Sequence, residues 1–446
     1  MKKVLSLVVV MVMLLTMVIG CANNDAVEQG SQTATGSSDF AVQASDNDKP
    51  FTIRVNSNQK SDAELKQFDA AINRFKQKYP NATVEIDTGV DTGDFSEYAQ
   101  RLLTQIAGGD NPDIIWMAVE GIRFLADNDV IVPIDDYVEN SAALKEQIND
   151  VDQMILKCFE YNGKLYAAPL GWNNNMIIYN TKLFEQEGIK LNPDWTWDEF
   201  VEIAKKLTDN SAANQRWGFA MGPYLSNYQM FMVNNGTYTM NETWDEPTFS
   251  SPKSVETMEF IYDLINKHKV MPLPENNVNY SDMFMAGRIA MINGGAWYLK
   301  TFKEKGFSDF DYMSVPTNGT KGTSYGADGY ALVNGSKNPQ AAADLIAELT
   351  GPEIQMLIAE NGTSVPASKK AAYSDTFLSM SPNVHLMYDS LQLDNVRVIP
   401  SPTYYPDMND SFTRHWAAAT SGQKSVEQAM IDTDNDIKAM NAKASK

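Results

Sequence analysis

Three short apolar segments decide the fold: F-T-I-R-V-N (51–56), T-V-E-I-D (83–87) and D-I-I-W-M (113–117). Each has the length and composition of a buried strand. A segment with apolar residues at helical spacing separates each strand from the next, the first ending at Pro80 and the second at Gly108. Strands and helices that alternate in this order predict an α/β fold with a parallel sheet and right-handed crossovers.

The carboxyl ends of these strands carry polar residues. Asn58 follows the first strand, and Glu120 follows the third. In an open α/β sheet, ligands bind outside the carboxyl ends of the strands. We therefore expect Asn58 and Glu120 to lie in a binding site.

The composition is that of a globular protein with an acidic surface. The chain has 446 residues, of which 43% are hydrophobic and 21% charged, and this length suits two lobes that each bury a core. Its formal charge of −21 argues against nucleic acid as a partner, because phosphates require clustered Lys and Arg. Only two cysteines are present, Cys21 and Cys158, so we expect no disulfide framework. The apolar neighbours of Cys158 are typical of a buried, unreactive thiol.

The N-terminal segment predicts export and lipid anchoring. Lys2 and Lys3 precede a short apolar run that ends V-I-G before Cys21. A charged start, a short apolar run and small residues at the cut are typical of a secretory signal, and V-I-G-C resembles a lipobox. A membrane-spanning helix would need roughly 20 apolar residues, slightly more than this run provides. We predict a signal peptide over residues 1–20, a lipidated Cys21, and a flexible polar tether over residues 21–50.

Sequence signatures of metal, nucleotide and catalytic sites do not occur in the chain. The three histidines stand far apart, without the spacing of a zinc site. Neither G-x-x-x-x-G-K-[ST] nor G-x-G-x-x-G after a strand is found. We therefore expect no metal, no cofactor and no catalytic residue. A secreted glycoside hydrolase stays open as an alternative, because such enzymes need two facing carboxylates and the chain is rich in acids.

Aromatic residues stand beside amides or acids in three places. Trp172 precedes a run of three asparagines that includes Asn174, Trp116 precedes the acid at the end of its strand, and Tyr325 lies close to Asp328. Sugars present apolar faces that stack on aromatic rings, and hydroxyls that bond to amides and carboxylates. These combinations predict a carbohydrate-binding surface.

From about residue 50 to its end, the chain resembles the extracellular solute-binding proteins of bacterial ABC importers, in the group that includes maltose-binding protein. No single motif is decisive, but the order and spacing of the matching segments fit this group along the whole body. The matching segments are N-P-D-I-I-W-M (111–117), Y-N-G-K-L-Y-A-A-P-L-G-W-N-N-N-M-I-I-Y-N-T-K-L-F (161–184), W-T-W-D-E-F (195–200), F-M-A-G-R-I-A-M-I-N-G-G-A-W (284–297) and K-N-P-Q-A-A-A-D-L-I (337–346).

The resemblance implies a type II periplasmic-binding-protein fold, in which two α/β lobes are joined by a hinge and close on a ligand in the cleft between them. It places residues 50–169 and 314–350 in the first lobe, and residues 170–313 and 351–446 in the second. A bend predicted over Leu170–Asn175 would then lie at the hinge.

The resemblance also points to ligand-binding residues. Trp297 matches a tryptophan that stacks on sugar in relatives, and Trp116 lies one position from another such aromatic. The expected ligand-binding set, which combines likeness with strand-end position, is Asn58, Trp116, Glu120, Trp172, Asn174, Trp297, Tyr325 and Asp328.

The function that the resemblance implies is capture without chemistry. We expect a monomeric, lipid-anchored receptor on the extracellular face of the cell membrane, which binds a sugar or oligosaccharide and delivers it to the transmembrane subunits of an ABC permease. Energy for transport would come from a separate ATPase. A sugar-sensing lipoprotein that presents its ligand to a kinase is an alternative, beside the glycan-active enzyme.

Overall fold

The computed structural model describes residues 49–59, 61–88, 95–211, 215–275 and 278–444, with side chains throughout except at 95–97 and 99–100. The predicted signal peptide, Cys21 and nearly all of the predicted tether lie outside the described residues. None of the helices in the described part of the chain is long and apolar enough to cross a membrane.

Twelve strands occur in these ranges. They are β1 (Phe51–Asn56), β2 (Ala82–Asp87), β3 (Ile114–Ala118), β4 (Glu160–Tyr161), β5 (Lys164–Leu165), β6 (Ala167–Asn174), β7 (Met176–Asn180), β8 (Met291–Gly294), β9 (Phe310–Met313), β10 (Gly322–Leu332), β11 (Val365–Pro366) and β12 (Asn395–Val398).

Nineteen α-helices accompany them in the described residues. They are α1 (Asp62–Lys78), α2 (Phe95–Ala107), α3 (Ile122–Asp127), α4 (Asp135–Asn140), α5 (Ala142–Asp150), α6 (Gln153–Leu156), α7 (Thr181–Gln186), α8 (Trp197–Leu207), α9 (Leu225–Val233), α10 (Pro252–Asn266), α11 (Tyr280–Met285), α12 (Trp297–Glu304), α13 (Pro339–Leu349), α14 (Pro352–Asn361), α15 (Lys369–Ala372), α16 (Asp375–Leu378), α17 (Leu386–Asp389), α18 (Tyr405–Thr420) and α19 (Val426–Ala444).

The first helix shows how local sequence fixes an element. The Ser61 hydroxyl accepts a hydrogen bond from the Glu64 backbone N–H, and the Glu64 carboxylate accepts one from the Ser61 N–H. This capping box satisfies two donors that a helix start otherwise leaves without partners. Phe68 and Phe75 bury one face of the helix, which ends before Pro80 as predicted.

A seven-stranded mixed sheet forms the centre of what we call the first lobe. Its order is β11-β6-β10-β3-β1-β2, and β12 also pairs with β10. The predicted parallel arrangement of the first three strands is confirmed, since β1 runs parallel to both β2 and β3. The rest of the sheet differs from that prediction, because β10 is antiparallel to both β3 and β6.

A three-stranded antiparallel sheet, β8-β7-β9, belongs to what we call the second lobe. Helices α8, α9, α10, α18 and α19 contribute to a single apolar cluster with these strands. Buried members of that cluster include Phe200, Phe231, Met258 and Phe412. The second lobe therefore owes its core mainly to helices, and its sheet is small.

The predicted bend over Leu170–Asn175 is wrong. Strand β6 continues through Asn174, because Trp172 pairs with Ala327 of β10 on one side and with Val365 of β11 on the other. Only Asn175 separates β6 from β7, so the chain passes from one sheet to the other at this residue.

The predicted lobe limits stay a prediction. Helix α14, placed by that prediction in the second lobe, packs on the first-lobe helix α1. Its buried residues Ile354 and Ile358 share an apolar cluster with Phe68 and Ile53. This packing favours a first lobe that extends beyond residue 350.

Candidate functional site

A cavity of about 390 Å³ opens on the second lobe. It lies between the residues that precede α9, helix α11 and the start of α12. Its walls combine aromatic rings with amide side chains, and Glu275 is the one charged residue among the described residues that line it. The aromatic, amide and acidic side chains of this lining include Tyr224, Asn227, Glu275, Asn293, Trp297 and Tyr298.

Trp297 forms one wall of this cavity and is 40% exposed. It is the first residue of α12, and its ring packs over Gly295. A Cβ atom at Gly295 would lie 2.3 Å from a ring carbon of Trp297. Glycine at this position therefore lets the indole approach the backbone closely while its exposed part lines the cavity.

Tyr224 forms another wall and is 63% exposed, more than Trp297. It precedes α9, where it occupies the N-cap position in extended backbone. The sequence-based set did not include Tyr224. The available signal was an aromatic residue directly after Gly222 and Pro223, at the start of a helix and outside any apolar repeat.

The floor of the cavity is a network of amides. Asn293 of β8 donates to the side-chain oxygens of Asn227 (2.6 Å) and Asn175 (3.0 Å). Asn227 donates in turn to the Gly222 carbonyl (2.8 Å). Asn175 donates to the Ser226 carbonyl (3.3 Å). Asn175, where the chain passes from one sheet to the other, thus helps to fix the positions of the hydrogen-bond donors and acceptors in the cavity.

A second cluster of site residues lies on the first lobe. The Trp116 indole Nε1 donates to the Asp328 carboxylate (2.9 Å), and Tyr98 contacts the indole edge-to-face at 5.7 Å. Trp116 and Asp328 are half-buried, as are the predicted site residues Asn58 and Glu120. The structure thus joins Trp116 and Asp328, which stand far apart in sequence.

The environment of Asp328 changes its acidity. The pKa of Asp328 is raised to about 7, chiefly by burial and to a smaller extent by the nearby Glu64 and Glu120 carboxylates, whereas the hydrogen bond from Trp116 acts in the opposite direction. Near neutral pH, Asp328 therefore exists partly in its protonated form, which can donate as well as accept a hydrogen bond.

Three predicted site residues lie in the core instead. Trp172 is fully buried, with Tyr325 and Tyr388 edge-to-face against it at 6.2 and 5.6 Å. Tyr325 is also buried, and its hydroxyl donates to the Met154 carbonyl (2.5 Å). Asn174 is 2% exposed and donates to Ser390 (2.8 Å). Direct ligand contact, as expected from the sequence, does not fit this burial.

The two clusters are separate in this structure. The described residues that line the cavity beside Trp297 and Tyr224 all fall between 222 and 298, on the second lobe. Trp116 and Asp328 contribute nothing to its lining. The structure therefore presents two separate clusters of candidate site residues, one on each lobe, which we call half-sites.

Two features of the described side chains bear on metal binding and on thiol chemistry. Within them, no group of three or more His, Cys, Asp or Glu residues is placed to hold a metal ion. Cys158 is buried, and this burial raises the pKa of its thiol, so the nucleophilic thiolate is disfavoured.

The sequence matches a family of known proteins. Residues 59–356 match the model of a family described as bacterial extracellular solute-binding protein. A maltotriose-binding protein of Pyrococcus abyssi is 24% identical over 298 residues, which cover 65% of this chain and 61% of that relative. An arabinooligosaccharide-binding protein of Halalkalibacterium halodurans is 20% identical and covers 63% of each chain. The chain thus spans less than two thirds of the length of these two relatives.

Solved structures show the same architecture. An ABC substrate-binding protein of Listeria monocytogenes in complex with cycloalternan superposes with a TM-score of 0.74 at 25% identity, covering 87% of this chain and 98% of that one. A Mycobacterium tuberculosis protein in complex with glycerophosphocholine gives a TM-score of 0.75 at 19% identity, with 89% and 100% covered. The predicted two-lobe α/β fold is thereby confirmed.

Proposed function

Because the chain belongs to the bacterial extracellular solute-binding protein family, we propose that it is the capture subunit of an ABC importer for a sugar or oligosaccharide. The observation that carries this proposal is the cavity bordered by Trp297 and Tyr224. Two exposed rings flank a floor of hydrogen-bonded amides, which suits a ligand that has apolar faces and a rim of hydroxyls.

The proposed ligand-contacting set draws on both lobes. Trp297 and Tyr224 stack on the ligand from the second lobe, and Trp116, Asp328, Glu120 and Asn58 contact it from the first when the lobes close. The hinge lies at the passage from β6 to β7. Trp172, Asn174 and Tyr325 support this passage from the core instead of contacting the ligand.

The names of relatives support the ligand class. The relatives described above bind maltotriose and arabinooligosaccharide by name, and the Listeria structure contains cycloalternan. All three are oligosaccharides, and a cavity of about 390 Å³ on one lobe leaves space for more than one sugar ring once the second half-site is added. We therefore favour an oligosaccharide over a single sugar.

A thermal-shift screen tests the ligand class directly. The purified chain without residues 1–20 is melted with neutral mono- and oligosaccharides, and a ligand that binds only the folded state raises Tm with its concentration. We expect stabilisation by at least one oligosaccharide and none by amino acids of similar size. A screen in which only non-carbohydrate solutes stabilise the protein contradicts the proposal.

Capture without turnover is the second part of the proposal. The same protein, incubated at length with the ligand from the screen, should return it unchanged. Chromatography of the sugar measures this. Shorter products that form at a rate proportional to protein concentration would indicate a glycan-active enzyme instead.

Anchoring is the third part. The segment V-I-G-C ending at Cys21 supports a lipid on that residue, which holds the protein on the outer face of the membrane beside its permease. Labelling of cells with a fatty acid should mark the wild-type protein and leave Cys21→Ala unmarked. Equal label in both proteins contradicts anchoring and leaves the ligand proposal untouched.

A further inference from the structure

The cavity on the second lobe carries a negative charge that its walls do not offset. Glu275 is exposed and is the one charged residue among the described residues of the lining. Within the described part of the chain, its carboxylate has neither a hydrogen-bond donor nor a cation as partner. The nearby Asp282 of α11 differs, because it pairs with Lys305 at 2.6 Å. The Glu275 carboxylate is therefore available to a ligand.

The backbone of Glu275 is held in place. Its N–H donates to the Tyr280 hydroxyl (3.0 Å), and the same hydroxyl donates to the Glu275 carbonyl (3.5 Å). Tyr280 is buried at the start of α11. Pro272 and Pro274 directly precede Glu275, and each proline ring fixes its own φ. The carboxylate thus projects from an anchored segment beside the cavity.

Exposed aromatic rings lie in the same cavity. The Tyr224 ring packs over Gly222, where a Cβ atom would lie 3.1 Å from a ring carbon, much as Trp297 packs over its own glycine. Burial raises the pKa of Tyr298, and the phenol groups of Tyr224 and Tyr280 add to this rise, whereas a hydrogen bond from Trp297 opposes it. Contributions of this kind fall off with distance, so these rings converge. The face of an aromatic ring attracts cations.

The half-site on the first lobe has carboxylates of its own. Asp328 lies near Glu64 and Glu120, which both act on its titration. A cation, Arg101, lies near Tyr98 in the same region and offsets part of this charge. The argument for charge selection therefore rests on the second-lobe cavity, where Glu275 has no such neighbour among the described residues of the lining.

We propose that the capture site selects saccharides by charge, with Glu275 as the selecting residue: it favours a sugar that carries an amino group and rejects acidic sugars. This inference rests on the proposed function and narrows its ligand class. An ammonium group gains the attraction of Glu275 and of the faces of Trp297 and Tyr224. A uronic acid or a sugar phosphate brings a second negative charge beside Glu275 and meets no cation in the described walls. Neutral sugars keep their stacking and hydrogen bonds and rank between the two.

The size of the preference is limited by solvent. Because Glu275 is exposed, water and dissolved ions screen its charge, and a moderate effect is expected. The preference should also depend on salt. Raising the ionic strength from about 0.01 M to about 1 M shortens the Debye length from roughly 30 Å to roughly 3 Å. A preference that comes from shape alone would not respond to this change.

The direct test compares saccharides that differ in one substituent. Glucose, glucosamine and glucuronate share one ring, as do galactose, galactosamine and galacturonate, and a single ring suits a cavity of about 390 Å³. Ligand-observed NMR at a pH of about 6, at which an amine with a pKa near 8 is protonated, gives Kd for each sugar. We expect the amine to bind about three- to tenfold more tightly than the neutral sugar, and the acid at least about threefold more weakly.

Variants identify the residue that is responsible. Glu275→Gln keeps the shape of the side chain and removes its charge, so it should reduce the ratio of the acid Kd to the amine Kd by about fivefold or more. Glu275→Asp keeps the charge and should retain most of the preference. Glu259→Gln on α10 is the matched control, since it removes the charge of an exposed acid on the same lobe outside the cavity. The control should keep the wild-type ratio.

The outcomes separate this inference from the proposed function. Binding of neutral saccharides without the expected order of charge, or with no measurable binding of either amine, overturns charge selection and leaves sugar capture standing. A full preference in Glu275→Gln, an equal loss in Glu259→Gln, or a preference in wild type that high salt does not reduce also overturns it. A wild type that binds none of the six sugars and no oligosaccharide of the thermal-shift screen overturns the proposed function, and the selection with it.

Discussion

The strongest prediction concerns the Trp297 ring. At 40% exposure, on the order of 100 Å² of the side chain is open, given the ~250 Å² that a large aromatic can bury. If a sugar covers about two thirds of this area, burial at ~25 cal/mol per Å² contributes ~1.5 kcal/mol to binding. Stacking geometry adds ~0.5–1 kcal/mol. We therefore expect Trp297→Ala to weaken binding by about 30- to 60-fold.

The same substitution should cost little folding stability. Trp297 keeps its exposed side toward the cavity and packs mainly on Gly295 and the neighbouring Tyr298, whose ring centre lies 5.9 Å away. We expect the free energy of unfolding to fall by ~1–2 kcal/mol, below the cost of removing a fully buried tryptophan. Calorimetric titration and urea unfolding measure the two quantities on the same preparation.

Two further variants define what would refute this reasoning. Trp297→Phe keeps an aromatic face and should lose less than half of the binding energy that Trp297→Ala loses. Met356→Ala removes an equally exposed apolar side chain (39%) on α14, outside the cavity, and should leave Kd unchanged. An affinity within about threefold of wild type in folded Trp297→Ala protein would place the sugar elsewhere, since that change is worth under ~0.7 kcal/mol.

Three other predictions concern stability. The pKa of Asp328 is raised from 3.8 to about 7, so between these pH values the folded protein holds a proton that the unfolded chain releases. The free energy of unfolding should therefore fall as pH rises from about 4 to about 7. In thermal melts across that range, Asp328→Asn should reduce this dependence of stability on pH. Gly329→Ala places a Cβ 2.3 Å from the Ala168 carbonyl oxygen and should destabilise the protein by ~2–3 kcal/mol, so an unchanged Tm contradicts the packing of β10 on β6. Asp434→Ala leaves the buried Phe249 N–H and two Ser250 donors without their acceptor, and it should lower the free energy of unfolding in urea by ~2–4 kcal/mol. A decrease under ~0.5 kcal/mol means that water replaces the carboxylate.

Local pattern was sufficient to predict the beginning of the fold. Strands β1, β2 and β3 are short and apolar, helices with clear stop signals separate them, and right-handed crossovers leave few ways to arrange such units. The position of strand β10 in the sheet could not be predicted in this way. Its place between β3 and β6 depends on partners distant in sequence, and no local property of residues 322–332 marks them as central and antiparallel.

The site shows the same limit at the level of single residues. Trp172 and Trp297 both lie within two residues of a glycine in sequence, yet one is fully buried and the other 40% exposed. Trp172 is in a strand paired on both sides, whereas Trp297 begins a helix at the protein surface. Burial is a property of the assembled sheet, which the neighbours of a residue in sequence do not determine.

The order of strands in the first lobe has a consequence for how the chain matures. Trp116 on β3 and its partner Asp328 on β10 are 212 residues apart, and β10 separates β3 from β6 in the sheet. Because the chain is synthesised from its N-terminus, this sheet cannot be completed until most of the chain is available. Contacts between residues so far apart in sequence also form slowly.

Export of the chain in an extended form, which the predicted signal peptide would require, would benefit from this delay. The early strands β1, β2 and β3 pair with one another, but they lack β10, the strand that joins them to β6, so the sheet stays incomplete until translocation is nearly finished. The same interleaving exposes the unpaired edges of β3 and β6 during that interval, and such edges are prone to pair with other chains. With the predicted export, the topology would couple competence for secretion to a need for protection from aggregation during translocation.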